Sequence, residues 1–209
     1  MPTTRTTVSE TTFIYLASQS PRRRQLLEQL GVKFALLLPD AGEDTEAIEA
    51  VIAGEAPARY VRRVTALKLD AALARLHRRG LPPAPVLCSD TTVALGRAIY
   101  GKPESDADAR RMLGELAGRT HRVLTAVAIA HRGKRLEALS DSRVTFAAMT
   151  PAQVRAYVAT GEPLGKAGAY AVQGRAATFI TRLSGSYSGI MGLPMHETAQ
   201  LLRACGLRI

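Results

Sequence analysis

A chain of 209 residues, 46% hydrophobic and 22% charged, suits one domain or two closely joined lobes around a sizeable core. The 28 Lys and Arg outnumber the 18 Asp and Glu and leave a net charge of +10, which points to nucleic acid or a polyanionic small molecule as partner. No apolar run approaches the roughly 20 residues of a membrane span, and the basic residues are scattered over several segments rather than gathered in one. Scattering favours Arg as an ordinary surface residue for most of them.

The first stretch, "MPTTRTTVSETT", is Thr-rich and lacks the apolar centre of a secretory signal, so residues 1–12 are expected to be a disordered lead-in. Residues 13–18 then read as a strand. Ser20 and Pro21 fit the N-cap and N1 positions of a helix over 21–30 that Gly31 stops. "KFALLLP" is a second strand, and an acidic loop leads to a long helix from Pro57 to Arg78. The helical spacing assigns Tyr60, Val61, Val64, Leu67, Ala71 and Ala74 to its apolar stripe, with Lys68 at the stripe's edge.

Beyond "LPPAP", "VLCSDTTVAL" reads as a buried strand that Asp90 ends, followed by a loop or short hairpin around "GRAIYGKPES". Ser105 caps the next helix and Gly118 closes it. "HRVLTAVAIAHRGKRLEALSDSRVTF" is two strands joined at "HRGK". Thr150 and Gln153 form a capping box around Pro151. Glycine loops with short strands follow, then a last helix from Met195 to Ala204. Strands and helices alternate early and a hairpin comes later, so the fold class is α/β with a mixed sheet. Cys88 and Cys205 lack metal-ligand spacing and read as reduced thiols, which fits a cytoplasmic location.

Three residue groups carry chemistry. Arg22, Arg23 and Arg24 stand at a helix N-terminus, where the macrodipole disfavours positive charge. Free backbone N–H groups there already bind anions, and guanidinium groups grip phosphate. With the Ser18 and Ser20 hydroxyls beside them, Arg22 and Arg23 mark an anion site built at the helix's expense, whereas Arg24 reads as solvated. Asp90 is placed at the carboxyl edge of the sheet, where α/β folds put their ligands. Glu43, chosen from a loop that also offers Asp40, Asp44 and Glu46, supplies a second carboxylate. Two carboxylates near phosphate suit Mg²⁺. Lys102 and Lys166 lie in slim glycine loops open to a ligand. The four histidines lack metal or triad spacing, and no P-loop or Rossmann glycine motif is present.

"LASQSPRRRQLL", "YVRRVTALK", "SDTTVAL" with "GKP", "EPLGKAGAYAVQG" and "GSYSGIMGLP" occur in order and together resemble the Maf family of nucleoside triphosphate pyrophosphatases. The resemblance implies an elongated mixed sheet with flanking helices and two lobes around a cleft, related to the inosine triphosphate pyrophosphatases. It implies a homodimer and cleavage between the α- and β-phosphates with Mg²⁺, for which Mn²⁺ or Co²⁺ substitutes. By position, Asp90 resembles the catalytic acidic residue, and Arg22, Thr91 and Gln173 the residues of substrate choice. Ser18, Arg23, Glu43, Lys68, Lys102 and Lys166 resemble the polar lining of the phosphate and metal site, with Glu43 and Asp90 on the metal. The "AGAYAVQG" segment is similar to the branch acting on dTTP and UTP. Gly165 and Gly189 stand where the family commonly has Asp and Asn.

Two other classes compete. A basic nucleic-acid-binding protein has only charge in its favour, since aromatics are 5% and no recognition motif is present. A nucleotide-binding regulator of cell division with little turnover would not need the full set of acidic and basic residues.

Overall fold

Alternation along three strands decides which helix covers which face of the sheet. In the computed structural model, which describes residues 13–43 and 47–209, β1 is Ile14–Leu16, β3 is Val86–Leu95 and β5 is Thr120–His131. Ile14, Leu16, Leu87, Val127 and Ile129 pack on Leu26 and Leu27 of helix α1 (Pro21–Gln29) and on Leu201 and Leu202 of α6 (Met195–Ala204). Their neighbours Tyr15, Val86, Cys88, Ala128 and Ala130 point the other way, onto Leu69 and Ala72 of α2 (Pro57–Arg78). This is the period-2 pattern of strands buried on both faces.

The remaining elements complete a seven-stranded mixed sheet in the order β2-β1-β3-β5-β6-β7, with β4 beside β3. Strand β2 (Phe34–Leu36) pairs parallel with β1, and β1 pairs parallel with β3. Strands β4 (Ala98–Tyr100), β6 (Lys134–Phe146) and β7 (Ile180–Ser184) are antiparallel to their neighbours. The β5–β6 turn falls at Arg132 and Gly133, both at positive φ (48° and 77°), the signature of a primed hairpin turn. Helices α3 (Asp106–Leu116) and α4 (Pro151–Val158) cover the far half of the long strands through Met112, Leu113, Leu116, Val154 and Tyr157, packed on Val123, Val144 and Phe146. The expected mixed α/β sheet with flanking helices is present. Residues 1–12 lie outside the described part, and with them the N-terminal lead-in.

Several local expectations hold. Ser20 accepts from Arg23 N, Ser105 accepts from Asp108 N, and the Thr150–Gln153 capping box closes in both directions. Three differ. Leu67 and Ala74 are exposed, and the buried stripe of α2 instead runs through Tyr60, Val61, Val64, Thr65, Leu69, Ala72 and Arg75. That face packs on β3 and β5 through Val61, Val64, Leu69 and Ala72, and Arg75 on it reaches Glu43 and the Leu37 carbonyl. Asp90 does not end its strand. It sits in the middle of β3, because β5 pairs with β3 along the whole run from Val86 to Ala94. Finally, a short helix α5 (Tyr187–Met191), capped by Ser186, occupies a stretch read from sequence as loop and strand. A Cβ on Gly189 would lie 2.6 Å from Ser140 Oγ, so a larger residue there requires the Ser140 hydroxyl to turn away.

Candidate active site

An unfilled stretch of sheet edge creates the site. Strand β1 pairs with β3 only at Val86 and Leu87, and β4 begins pairing only at Val93. Between them Ser89, Asp90, Thr91 and Thr92 pair with no strand on that side among the described residues, and all four line a cavity of about 580 Å³. Asp90 therefore lies just past the carboxyl end of the parallel part of the sheet, where α/β ligand sites form. Alternation again assigns the faces. Asp90 turns toward α2 and meets Lys68, whereas Thr91 turns toward α1 and meets Arg23.

On the α2 face, Lys68 Nζ donates to Asp90 Oδ1 at 2.6 Å and to Glu49 Oε1 at 2.7 Å. Lys102 donates to both Glu49 oxygens, at 3.1 and 2.9 Å. Glu49 belongs to a 3₁₀ turn, Ala47–Glu49, whose carbonyl accepts from Tyr60 Oη at 2.9 Å while Ile48 packs on the start of α2. Burial opposes ionisation of Glu49, but the Lys68 and Lys102 ammonium groups outweigh it and hold the carboxyl below its usual range.

On the α1 face, Arg23 is built into the wall. Its Nε donates to the Gly192 carbonyl at 2.8 Å, and its terminal nitrogens to Ser18 Oγ and Thr91 Oγ1, each at 3.3 Å. Thr91 Oγ1 also lies 2.9 Å from Thr125 Oγ1, and Ser89 Oγ donates to the same Gly192 carbonyl. Arg22 has no hydrogen-bond or ion-pair partner among the described residues, and burial lowers its pKa from the ordinary arginine value. Burial, then the Arg22 charge, also lowers the Lys166 ammonium. Two cations that repel each other across one cavity make an anion-seeking spot.

Ser18, Arg22, Arg23, Lys68, Asp90, Thr91, Lys102, Lys166 and Gln173 all line the one cavity. Glu43 does not. Its carboxylate is held by Arg75 and Arg78, and the Arg75 hydrogen bond leads in pulling its pKa down to about 2. Buried Arg75 needs that counter-charge, and this draws Glu43 away from Asp90. Among the described residues, the carboxylate facing Asp90 is Glu49; Asp44 and Glu46 lie outside them. The sequence offers one signal for Glu49, its place a few residues before α2, which carries Lys68. Gln173 is exposed to the cavity, with no hydrogen bond to its amide among the described residues.

Outside the cavity, Arg62, Arg63, Arg78, Arg79, Arg111, Arg122 and Arg135 each pair with a carboxylate. No helix among the described residues is long and apolar enough to cross a membrane.

The sequence profile of the family described as "Maf-like protein" matches residues 13–205, and the chain belongs to that family. A protein of Albidiferax ferrireducens named "dTTP/UTP pyrophosphatase" is 71% identical over 197 residues, 94% of this chain and 98% of the relative. Proteins with the same name from a Polaromonas species and from Cupriavidus metallidurans are 68% and 62% identical over the same shares of both chains.

Proposed function

We propose that the chain hydrolyses nucleoside triphosphates, dTTP and UTP foremost, at the bond between the α- and β-phosphates, releasing a nucleoside monophosphate and pyrophosphate. One observation carries the reading: Arg22, Lys68, Lys102 and Lys166 converge with Asp90 and Glu49 on a single cavity of nucleotide size. The names of the relatives direct the choice of base. The role served is removal of unwanted nucleotides from the pool.

Asp90 and Glu49 share the Lys68 ammonium, so their oxygens lie close enough to face one hard cation. No group of three or more His, Cys, Asp or Glu that could cage a metal occurs among the described residues. Mg²⁺ ordinarily takes one or two carboxylates and completes its shell with water and phosphate oxygens, so this donor pair fits it. Mn²⁺ and Co²⁺ are the substitutes. Bound there, the cation supplies Lewis-acid polarisation of the phosphoryl oxygens.

The chain's own groups do the rest. Arg22 and Lys166 neutralise phosphate charge, and Lys68 holds the Asp90 carboxylate at the open edge of β3. Asp90 can accept a proton from the attacking water at that position. Arg23 shapes the wall through Gly192, Ser18 and Thr91. Gln173 presents an amide donor and an acceptor to the base. Uracil and thymine offer a carbonyl beside N3–H, and cytosine reverses that order. A mismatch costs on the order of 1–3 kcal/mol, so dTTP and UTP should exceed CTP by roughly tenfold or more.

A panel of nucleoside triphosphates with Mg²⁺, followed by release of pyrophosphate, tests the proposal. It expects dTTP and UTP at the head of the ranking and purines behind, and no turnover of any of them would refute it. Gln173→Ala should flatten the ranking. A homodimer and a cytoplasmic location complete the reading. Light scattering tests the first, and the free thiols of Cys88 and Cys205 support the second.

A further inference from the structure

Lys166 and Gln173 reach the cavity from the two ends of one loop, residues 163–174, and a single carboxylate pins that loop at its base. Glu162 immediately precedes the loop. Its Oε2 accepts from Arg175 N at 2.9 Å, just after the loop's end, and its Oε1 receives Ala176 N at 3.4 Å. The same Oε1 accepts from Tyr157 Oη of α4 at 2.7 Å. Arg175 and Ala176 open a 3₁₀ helix, Arg175–Phe179, whose first N–H groups have no helical partner and find a charged one here.

Two further ties fix the loop between its ends. Gly168, at φ 68°, donates its N–H to the Gly101 carbonyl at 3.0 Å, next to Lys102. A Cβ on Gly168 would come within 2.8 Å of Val93, so only glycine permits that approach. Tyr170 Oη lies 2.8 Å from His121 Nε2, inside an edge-to-face cluster with Phe146. Position 174 is equally constrained. A Cβ there would lie 2.3 Å from Glu162 Oε1, so a glycine beside Gln173 is what lets the carboxylate reach both amides.

We propose that Glu162 is a positioning residue for nucleotide selection: by clasping both ends of loop 163–174 it holds the Lys166 ammonium and the Gln173 amide at a fixed separation, so that the base is read only when the phosphates are seated. Glu162 itself does not line the cavity and acts through Gln173, one residue before Gly174 and two before Arg175. The proposal rests on the reading of Gln173 given under Proposed function. An amide free to reorient would pair equally with uracil and cytosine. The clasp is what keeps it in one orientation.

Steady-state kinetics of the full chain with dTTP, UTP and CTP, alongside thermal melting, test it. Glu162→Gln keeps size and one acceptor but turns an NH₂ toward an N–H donor. Gly174→Ala displaces the carboxylate from the other side, at a φ of −101° that alanine adopts freely. Both should lower the dTTP-to-CTP ratio of kcat/KM roughly tenfold, mainly through KM for dTTP, because a mismatched amide contact is what distinguishes the two bases. Tyr157→Phe removes only the tie to α4 and should lower the melting temperature while keeping the ratio. A wild-type ratio in both Glu162→Gln and Gly174→Ala would overturn the clasp and leave Glu162 a helix cap. A wild-type enzyme that does not separate dTTP from CTP would overturn the Gln173 reading itself, and the clasp with it.

Discussion

The ammonium of Lys68 stands 2.6 Å from the carboxylate of Asp90, and that contact joins helix α2 to the open edge of β3 at the centre of the cavity. The same ammonium also bridges to Glu49. Removing it as Lys68→Met leaves two carboxylates facing each other, with Lys102 and Arg23 as the remaining neighbouring cations. Turnover of dTTP should fall by about 100-fold or more, the scale on which one preorganised charged group commonly acts. Far-UV circular dichroism should remain native. Turnover within a few-fold of wild type would show the contact to be structural.

Glu43 and Glu49 should separate stability from activity. Glu49→Gln removes a carboxylate from the cavity and should abolish most turnover with little change in melting. Glu43→Gln leaves buried Arg75 without its counter-charge and should destabilise the fold by about 2 kcal/mol, below the full cost of orphaning a buried ion because Glu43 is partly exposed. Its kcat should stay near wild type. Parallel denaturation and kinetics on the two variants decide the matter, and the reverse pattern would return Glu43 to the site.

Arg22 and Arg23, expected from sequence to act alike, should diverge. Arg22→Glu places a carboxylate at a helix N-terminus with no partner lost, so stability should hold or rise by a few tenths of a kcal/mol while catalysis collapses. Arg23→Glu breaks contacts to Gly192, Ser18 and Thr91 and should lose both stability and activity. Equal melting temperatures for the two variants would contradict this division.

His121 makes the fold sensitive to acid. Burial holds its pKa down at about 4, below the ordinary 6.5, so the folded imidazole stays neutral where the unfolded one takes a proton. Stability is therefore full above about pH 6.5 and lost as pH falls toward 4, by at most roughly 1.4 kcal/mol per pH unit for one proton. The depressed Glu43 carboxyl adds a second loss between pH 4.5 and about 2. Denaturation of His121→Asn across this range should show a flatter slope between pH 6.5 and 4, and an unchanged slope would remove His121 as the cause.

Much of this is legible in the sequence. Capped helices announce their starts, which is why α1, α3 and α4 begin where Ser20, Ser105 and Thr150 predict. The "HRGK" turn and the Thr150–Gln153 box carry their own local chemistry. What stayed hidden depends on partners distant in sequence. "VLCSDTTVAL" is buried at every position but Thr91 and Leu95, so its pattern has no mark for where β1 stops pairing, and that gap is what opens Asp90 to the cavity. In the loop before the long helix, Glu43 stands out from Asp40, Asp44 and Glu46 by resemblance alone, and nothing local marks Glu49 beyond its place before α2. The choice of Glu49 over Glu43 is made by Arg75 and Lys68, which lie seven residues apart on α2 and draw the two carboxylates in different directions. Helix α5 is five residues with a glycine inside, too short for periodicity to show.

The most direct test of the central claim is the fate of dTTP followed by phosphorus NMR with Mg²⁺ and catalytic amounts of the full chain. Cleavage between the α- and β-phosphates predicts dTMP and pyrophosphate appearing together in equal amounts from the first time point, with Asp90→Asn binding dTTP but leaving it intact. Appearance of dTDP and orthophosphate as first products would contradict the account.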